Sequence, residues 1–230
     1  MKSESTFAGM RTLFLLIACL LPVLAIGQDL RSVQCRFMSF GGTDDSLTVV
    51  ARSATGDEVV CPLSSSSISK PVECAAKGNQ LNFVSPSDGK TAAIATIPAG
   101  VKAAILVFVR AQPKAGATTS LPWRVLVIHD SAETFPDGGA YVANFHAKDI
   151  RFVIGEHKGM LHPAGSHGYA QPGQRDDFNM APVIFQFLHE DKWRTANESS
   201  LRFVPGIRYL IFAFTDPASG RPRIRTYQDI

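Results

Sequence analysis

A chain of 230 residues that is 45% hydrophobic and 19% charged is long enough for one or two folded domains and too apolar to be disordered. Its net charge of +3 is too small for the basic surface that nucleic-acid binding requires.

The first 27 residues read as a secretory signal peptide. Lys2 and Arg11 supply a positive flank, and Leu13 to Ile26 form an apolar run. Ala25-Ile26-Gly27 places small residues before a cut ahead of Gln28. The run is shorter than the ~20 residues that span a bilayer, and no later run is long enough. The mature chain is therefore expected to be exported to the periplasm or the extracellular space, with no membrane span. Leu16-Ile17-Ala18-Cys19 offers an alternative, a lipoprotein box cut after Ala18 with a lipid anchor on Cys19.

Three cysteines remain after cleavage, Cys35, Cys61 and Cys74. In an oxidising compartment one disulfide forms readily. Cys61 and Cys74, which enclose a short serine-rich loop, are the candidate pair. The alternative is three buried, inert thiols. No Cys/His spacing matches a zinc motif.

From Gln28 onward the pattern is short strands. Val33, Cys35 and Phe37 alternate on one face, and Gly41 to Asp45 is a turn cluster in which Asp44 and Asp45 are turn formers. Leu47 to Ala51 and Glu58 to Cys61 form a hairpin. Val72 to Cys74, Leu81 to Val84 and Ala92 to Ile97 follow. Ile97 to Val109 then combines a Pro/Gly turn with a strand apolar on both faces. Such a strand must be covered on both sides and is therefore central. A long turn through Pro113 and Gly116 leads to Trp123 to Ile128, and Ser131 to Gly139 reads as a boundary.

The order then begins again with Ala140 to Phe145, Ile150 to Ile154, Lys158 to Leu161, Val183 to Leu188, Lys192 to Thr195, Ser200 to Val204, a second Pro/Gly turn with Tyr209 to Phe214, and Arg223 to Tyr227. A repeat of about 95 residues suits a sandwich domain. The expected fold is all-β, with two tandem immunoglobulin-like β-sandwich domains: residues 28–131, a linker at 132–139, and residues 140–230. The alternative is one larger all-β domain.

Chemistry is sparse. His157, His162 and His167 are evenly spaced in a Gly/Pro-rich stretch and are the candidate metal ligands. Arg221, Arg223 and Arg225 alternate on the last strand and, with Arg208, suggest a basic stripe for an acidic partner; they also serve to guard an edge strand. Gly155 to Asn179 reads as the longest irregular stretch of the second repeat, replacing the 62–70 loop of the first. Tyr169 and Arg175 are its candidate binding residues. Phe185, Phe187 and Trp193 flank a polar hairpin tip, where a solvent-facing aromatic would suit a sugar. Asn197-Glu198-Ser199 is a glycosylation sequon.

The closing run Pro205-Gly206, Tyr209-Leu210-Ile211-Phe212, Asp216-Pro217 and Arg221-Pro222-Arg223, behind a signal peptide and two sandwich-like halves, resembles small exported bacterial tandem β-sandwich proteins of no assigned function. Its motifs are turns, so the resemblance implies architecture and bacterial export and transfers no catalytic residue. The functional expectation is a non-enzymatic binding or structural module of the periplasm or cell envelope. It needs no cofactor, and its partner is a protein or an envelope polymer. The alternatives are a metal-binding protein or metal-dependent hydrolase built on residues 157–177, and a carbohydrate-binding module.

Overall fold

The structure, a computed structural model, describes residues 30–41, 47–111 and 121–230. The signal segment with Cys19, the Asp44-Asp45 turn and the loop through Pro113 and Gly116 lie outside these residues. The fold is all-β, and among the described residues no helix is long and apolar enough to cross a membrane.

Among the described residues sixteen strands follow in order. The first eight are β1 (Leu30–Phe40), β2 (Thr48–Arg52), β3 (Glu58–Pro62), β4 (Val72–Lys77), β5 (Gln80–Val84), β6 (Thr91–Thr96), β7 (Ala103–Arg110) and β8 (Trp123–His129). The second eight are β9 (Ala140–Asn144), β10 (Ile150–Ile154), β11 (His157–Leu161), β12 (Ser166–Tyr169), β13 (Met180–His189), β14 (Lys192–Arg202), β15 (Arg208–Thr215) and β16 (Pro222–Asp229).

Each half has the same two layers. In the second half β11-β10-β13-β14 faces β12-β9-β15-β16. In the first, β3-β2-β5-β6 faces β4-β1-β7-β8, and the single pair Lys77↔Gln80 joins the layers into one continuous sheet. The Gly78-Asn79 turn is tight enough to permit that pairing. Its counterpart, residues 170–179, is longer and leaves two separate sheets.

The registers repeat as well as the order. Cys35 pairs in parallel with Ala104, and Ala140 in parallel with Tyr209. The halves are related by a shift of 105 residues (35 to 140, 104 to 209) rather than about 95. The same shift carries buried Ser39 to buried Asn144. Ser39 Oγ donates to Leu63 O (3.3 Å), and Asn144 Nδ2 donates to Leu161 O (3.0 Å). In an immunoglobulin sandwich the first strand lies beside the second. Here β1 lies between β4 and β7, so the two-layer build is shared and the strand order is a different one.

The halves share a third core. On β7, Ala104, Leu106 and Phe108 enter the first half's core, while Ile105 and Val107 face the other half. On β15, Tyr209, Ile211 and Ala213 enter the second core, while Leu210 and Phe212 face back. The cover required by the doubly apolar strands is thus the other half's sheet. Phe40, Phe145, Phe212 and Phe214 meet with ring centroids 5.1 to 5.2 Å apart at one end of this layer. The 132–139 connection is packed into it, with Phe135 fully buried.

A charge cluster closes the other end. Arg36 donates through both Nη atoms to the Asp229 carboxylate and lies 3.7 Å from Asp130. Arg208 donates to Asp130 Oδ1 at 2.8 Å and to Asp229 through Nε (3.0 Å) and Nη2, and stacks over Phe135. Asp229 is only 4% exposed, and both guanidiniums serve as its partners in place of water.

Two other local readings change. Lys192 to Thr195 and Ser200 to Val204 are largely one strand, β14, with a register shift opposite Phe185/Gln186. Glu190 (φ 47°) and Asp191 (φ 58°) are both left-handed at the β13–β14 turn, a conformation that favours Asn-Gly.

Three outcomes follow. Phe212→Ala, which opens a cavity at the aromatic end of the shared layer, should cost about 3–5 kcal/mol in urea denaturation. Asp229→Ala should cost about 3–5 kcal/mol by leaving two guanidiniums without their common carboxylate. Replacing Glu190-Asp191 by Asn-Gly should raise stability by about 1 kcal/mol in the same assay.

Candidate functional site

The expected metal ligands do not converge. His157 begins β11 and His162 follows its end, so five extended residues hold them roughly 16 Å apart. His162 Nδ1 contacts Asp149 Oδ1 at 2.9 Å, whereas His157 Nε2 contacts Ala170 O at 3.0 Å. Among the described residues no group of three His, Cys, Asp or Glu side chains is placed to hold a metal ion.

His157 and His167 instead flank Tyr169, with ring centroids 5.8 and 5.0 Å away, and Phe152 packs on the same tyrosine at 5.3 Å. This aromatic group fills the open side of the sandwich between edge strands β11 and β12. Gly159 permits the approach, because a Cβ there would overlap the Phe152 ring and lie 3.0 Å from the Tyr169 hydroxyl. Tyr169 is therefore a packing residue, and burial raises its pKa.

Gly155 to Asn179 contains two short strands, β11 and β12, separated by a turn at 162–165, and residues 170–179 are its longest irregular segment. That loop is tied down at several points. Arg175 Nη1 (2.8 Å) and Gln171 Nε2 (3.1 Å) both donate to Phe203 O, which fixes the loop against the β14–β15 corner. Glu156 accepts the backbone N–H groups of Gly173 (2.6 Å) and Gln174 (3.0 Å). Those bonds pull its carboxyl down to about 2. Asp176 Oδ1 accepts Phe178 N–H and Met180 N–H, a turn role.

The arginine stripe is also divided. Arg225 lies over Phe40 (5.8 Å) and Phe214 (5.6 Å) and caps the aromatic end of the shared layer. Arg208 pairs with Asp229 at the far end of the β15–β16 ladder from Pro222, and its charge is taken up by Asp130 and Asp229. Arg221 lies in the turn, where its carbonyl accepts Asp216 N–H at 2.9 Å. Arg223 is exposed on β16. Cys61 and Cys74 are free thiols in this structure, as is Cys35, and all three are buried.

A different surface has the form of a site. On the outer face of β11-β10-β13-β14, a cavity of about 280 Å³ is lined by Arg151, Phe152, Val153, Lys158, Ile184 and Gln186, with Gly159 at its edge. The register explains the grouping. Val153 pairs with both Lys158 and Ile184, and Arg151 with both Met160 and Gln186, so these side chains form adjacent rows on one face. Val153 and Ile184 make an apolar floor, and Arg151 and Lys158 put positive charge beside it. The Arg151 guanidinium lies 3.9 Å from the centroid of the Trp193 ring, which restricts the arginine to one position. Phe185 and Phe187 point inward to the core, so of the three hairpin aromatics only Trp193 reaches the outer face. Met160, half exposed beside Arg151, extends the apolar surface. The arrangement suits a ligand that is extended, partly apolar and anionic.

Sequence reasoning identified Trp193 but not Arg151, Lys158 or Gln186. Alternation within each strand was the available signal, since all three lie opposite to core residues. Comparison with protein-family models and with curated proteins finds no match.

The Glu156 contacts define a pH response. A depressed carboxyl contributes order that is complete above its unfolded value of about 4.3 and is lost as pH falls through about 2. The Gly173 and Gln174 amide protons should stay protected from pH 7 to below pH 4. In Glu156→Ala they should exchange at least ~10-fold faster at pH 7, read by NMR hydrogen exchange.

Proposed function

We propose that this chain is an exported, non-enzymatic binding module of the periplasm or cell envelope, and that the outer face of β11-β10-β13-β14 holds an anionic envelope polymer. The observation carrying this reading is the pair of cations beside an apolar floor, with Arg151 held against Trp193. A rigid sheet face with one oriented guanidinium and one mobile ammonium recognises carboxylate or phosphate groups along a chain without a deep pocket. Export is supported by the pattern of residues 1–27. The two halves are read as tandem sandwich domains, immunoglobulin-like in their two layers. Their repeated registers and separate cores support that division.

A carbohydrate-binding reading is favoured by one observation, the presence of Trp193 on this same face. The two readings differ in salt dependence and in the residue each needs. Trp123, the other tryptophan, is 8% exposed, so ligand-induced changes in fluorescence report Trp193.

The test is a fluorescence titration with acidic and neutral polysaccharides. Acidic polymers should bind, binding should weaken as salt rises, and Arg151→Ala/Lys158→Ala should lower affinity at least ~10-fold. Equal binding of neutral glycans, lost in Trp193→Ala and kept in the double variant, would replace the anionic reading with the carbohydrate one. Binding of neither polymer class would sink both.

A further inference from the structure

The first core contains a group of thiols that the binding reading does not use. Cys35 comes from β1, Cys74 from β4 and Cys61 from β3 in the facing layer, and all three are fully buried in the same core. In the β1–β4 ladder Cys35 stands opposite Val72 and Cys74 opposite Val33, which makes the two cysteines diagonal neighbours on the core face. Cys74 lies close to both Cys35 and Cys61 and is the shared member of the three. Its two neighbouring thiols hold the Cys74 thiol below its usual range, while contact with Cys74 and burial push Cys35 and Cys61 up.

The two partners of Cys74 are not equivalent. Diagonal neighbours on adjacent strands have Cα atoms about 7–8 Å apart, whereas a disulfide prefers about 5.5–6 Å. A pair reaching across the two layers has no such ladder constraint, and sandwich disulfides commonly bridge the layers in this way.

We propose that Cys61 and Cys74 close an inter-layer disulfide when the chain folds in the presence of a disulfide oxidant, with Cys35 left as the free thiol. Closure takes two steps. The Cys74 thiolate attacks the oxidant disulfide and expels one thiolate, leaving Cys74 in a mixed disulfide. The Cys61 thiol then gives up its proton and attacks the Cys74 sulfur, expelling the second thiolate. Two protein thiols are oxidised to one disulfide, and the oxidant is reduced to two thiols, which take up the two protons. Because all three sulfurs are buried, closure belongs to the folding chain and not to the finished surface.

The experiment refolds the reduced full chain in a glutathione/glutathione-disulfide buffer, quenches it with acid, alkylates it under denaturing conditions and maps peptides by non-reducing mass spectrometry. Wild type should show a Cys61–Cys74 peptide with Cys35 alkylated. Cys61→Ala and Cys74→Ala should each show no bond within this trio. Circular dichroism of each product checks that it has folded. Three alkylated thiols in folded wild type, or a Cys35–Cys61 bond, would overturn the proposal. So would a Cys35–Cys74 bond in wild type or in folded Cys61→Ala, which would show that the ladder does not keep the two apart. The wild-type map alone decides the disulfide if a variant does not fold.

Discussion

The constraint on which the molecule depends is the burial of its inner strands on both faces. β1, β7, β9 and β15 each carry apolar side chains in both directions, so each needs two covers. One cover is the outer sheet of the same half, and the other is the inner sheet of the opposite half. Four layers result, with three apolar interiors between them. The outer sheets turn one face to water, and the cavity beside Arg151 lies on one of these. Placement of the candidate site thus follows from where the cores are.

Apolar layers alone would define the distance between the halves but leave their rotation and sliding loosely determined. The polar ends of the shared layer supply what is missing. Arg36 and Arg208 converge on Asp130 and Asp229 at one end. Phe40 packs edge to face on Phe212 and Phe214, with Phe145 tilted against Phe40, beneath Arg225 at the other. Charged groups removed from water are tolerated only when their partners stand in place, so a shifted docking would strand Asp229. Geometry at the ends, and apolar area in the middle, together set one arrangement.

Much of the architecture was legible from the chain. Alternation in Val33 to Phe37, turn chemistry at Pro98 to Gly100 and at Pro205-Gly206, and the paired Ile97–Val109 and Phe203–Phe214 runs are local signals, and each corresponds to an observed element. The double cover could be inferred from Ile105, Val107, Leu210 and Phe212, but its identity could not, because an apolar face does not say what lies on it. β12 was illegible for a different reason. Ser166-His167-Gly168-Tyr169 has little strand character, and its conformation comes from pairing with β9. Even spacing of His157, His162 and His167 was misleading, since an extended strand carries its ends apart whereas an irregular loop could fold them together. Arg151, Lys158 and Gln186 come from three strands and meet only through register.

The shared layer has one more implication. The 105-residue shift takes Phe40 to Phe145, Ile105 to Leu210 and Val107 to Phe212, so the halves meet through corresponding patches. Phe40 even packs on its own counterpart, Phe145. This is the arrangement of an isologous contact, the kind that relates two subunits of a homodimer, held here within one chain. The covalent connection through Phe135 makes the meeting intramolecular and independent of protein concentration. A half released from its mate would expose a self-complementary sheet and meet another released half by the same contacts, so the tandem chain is in physical terms a tethered pseudo-dimer.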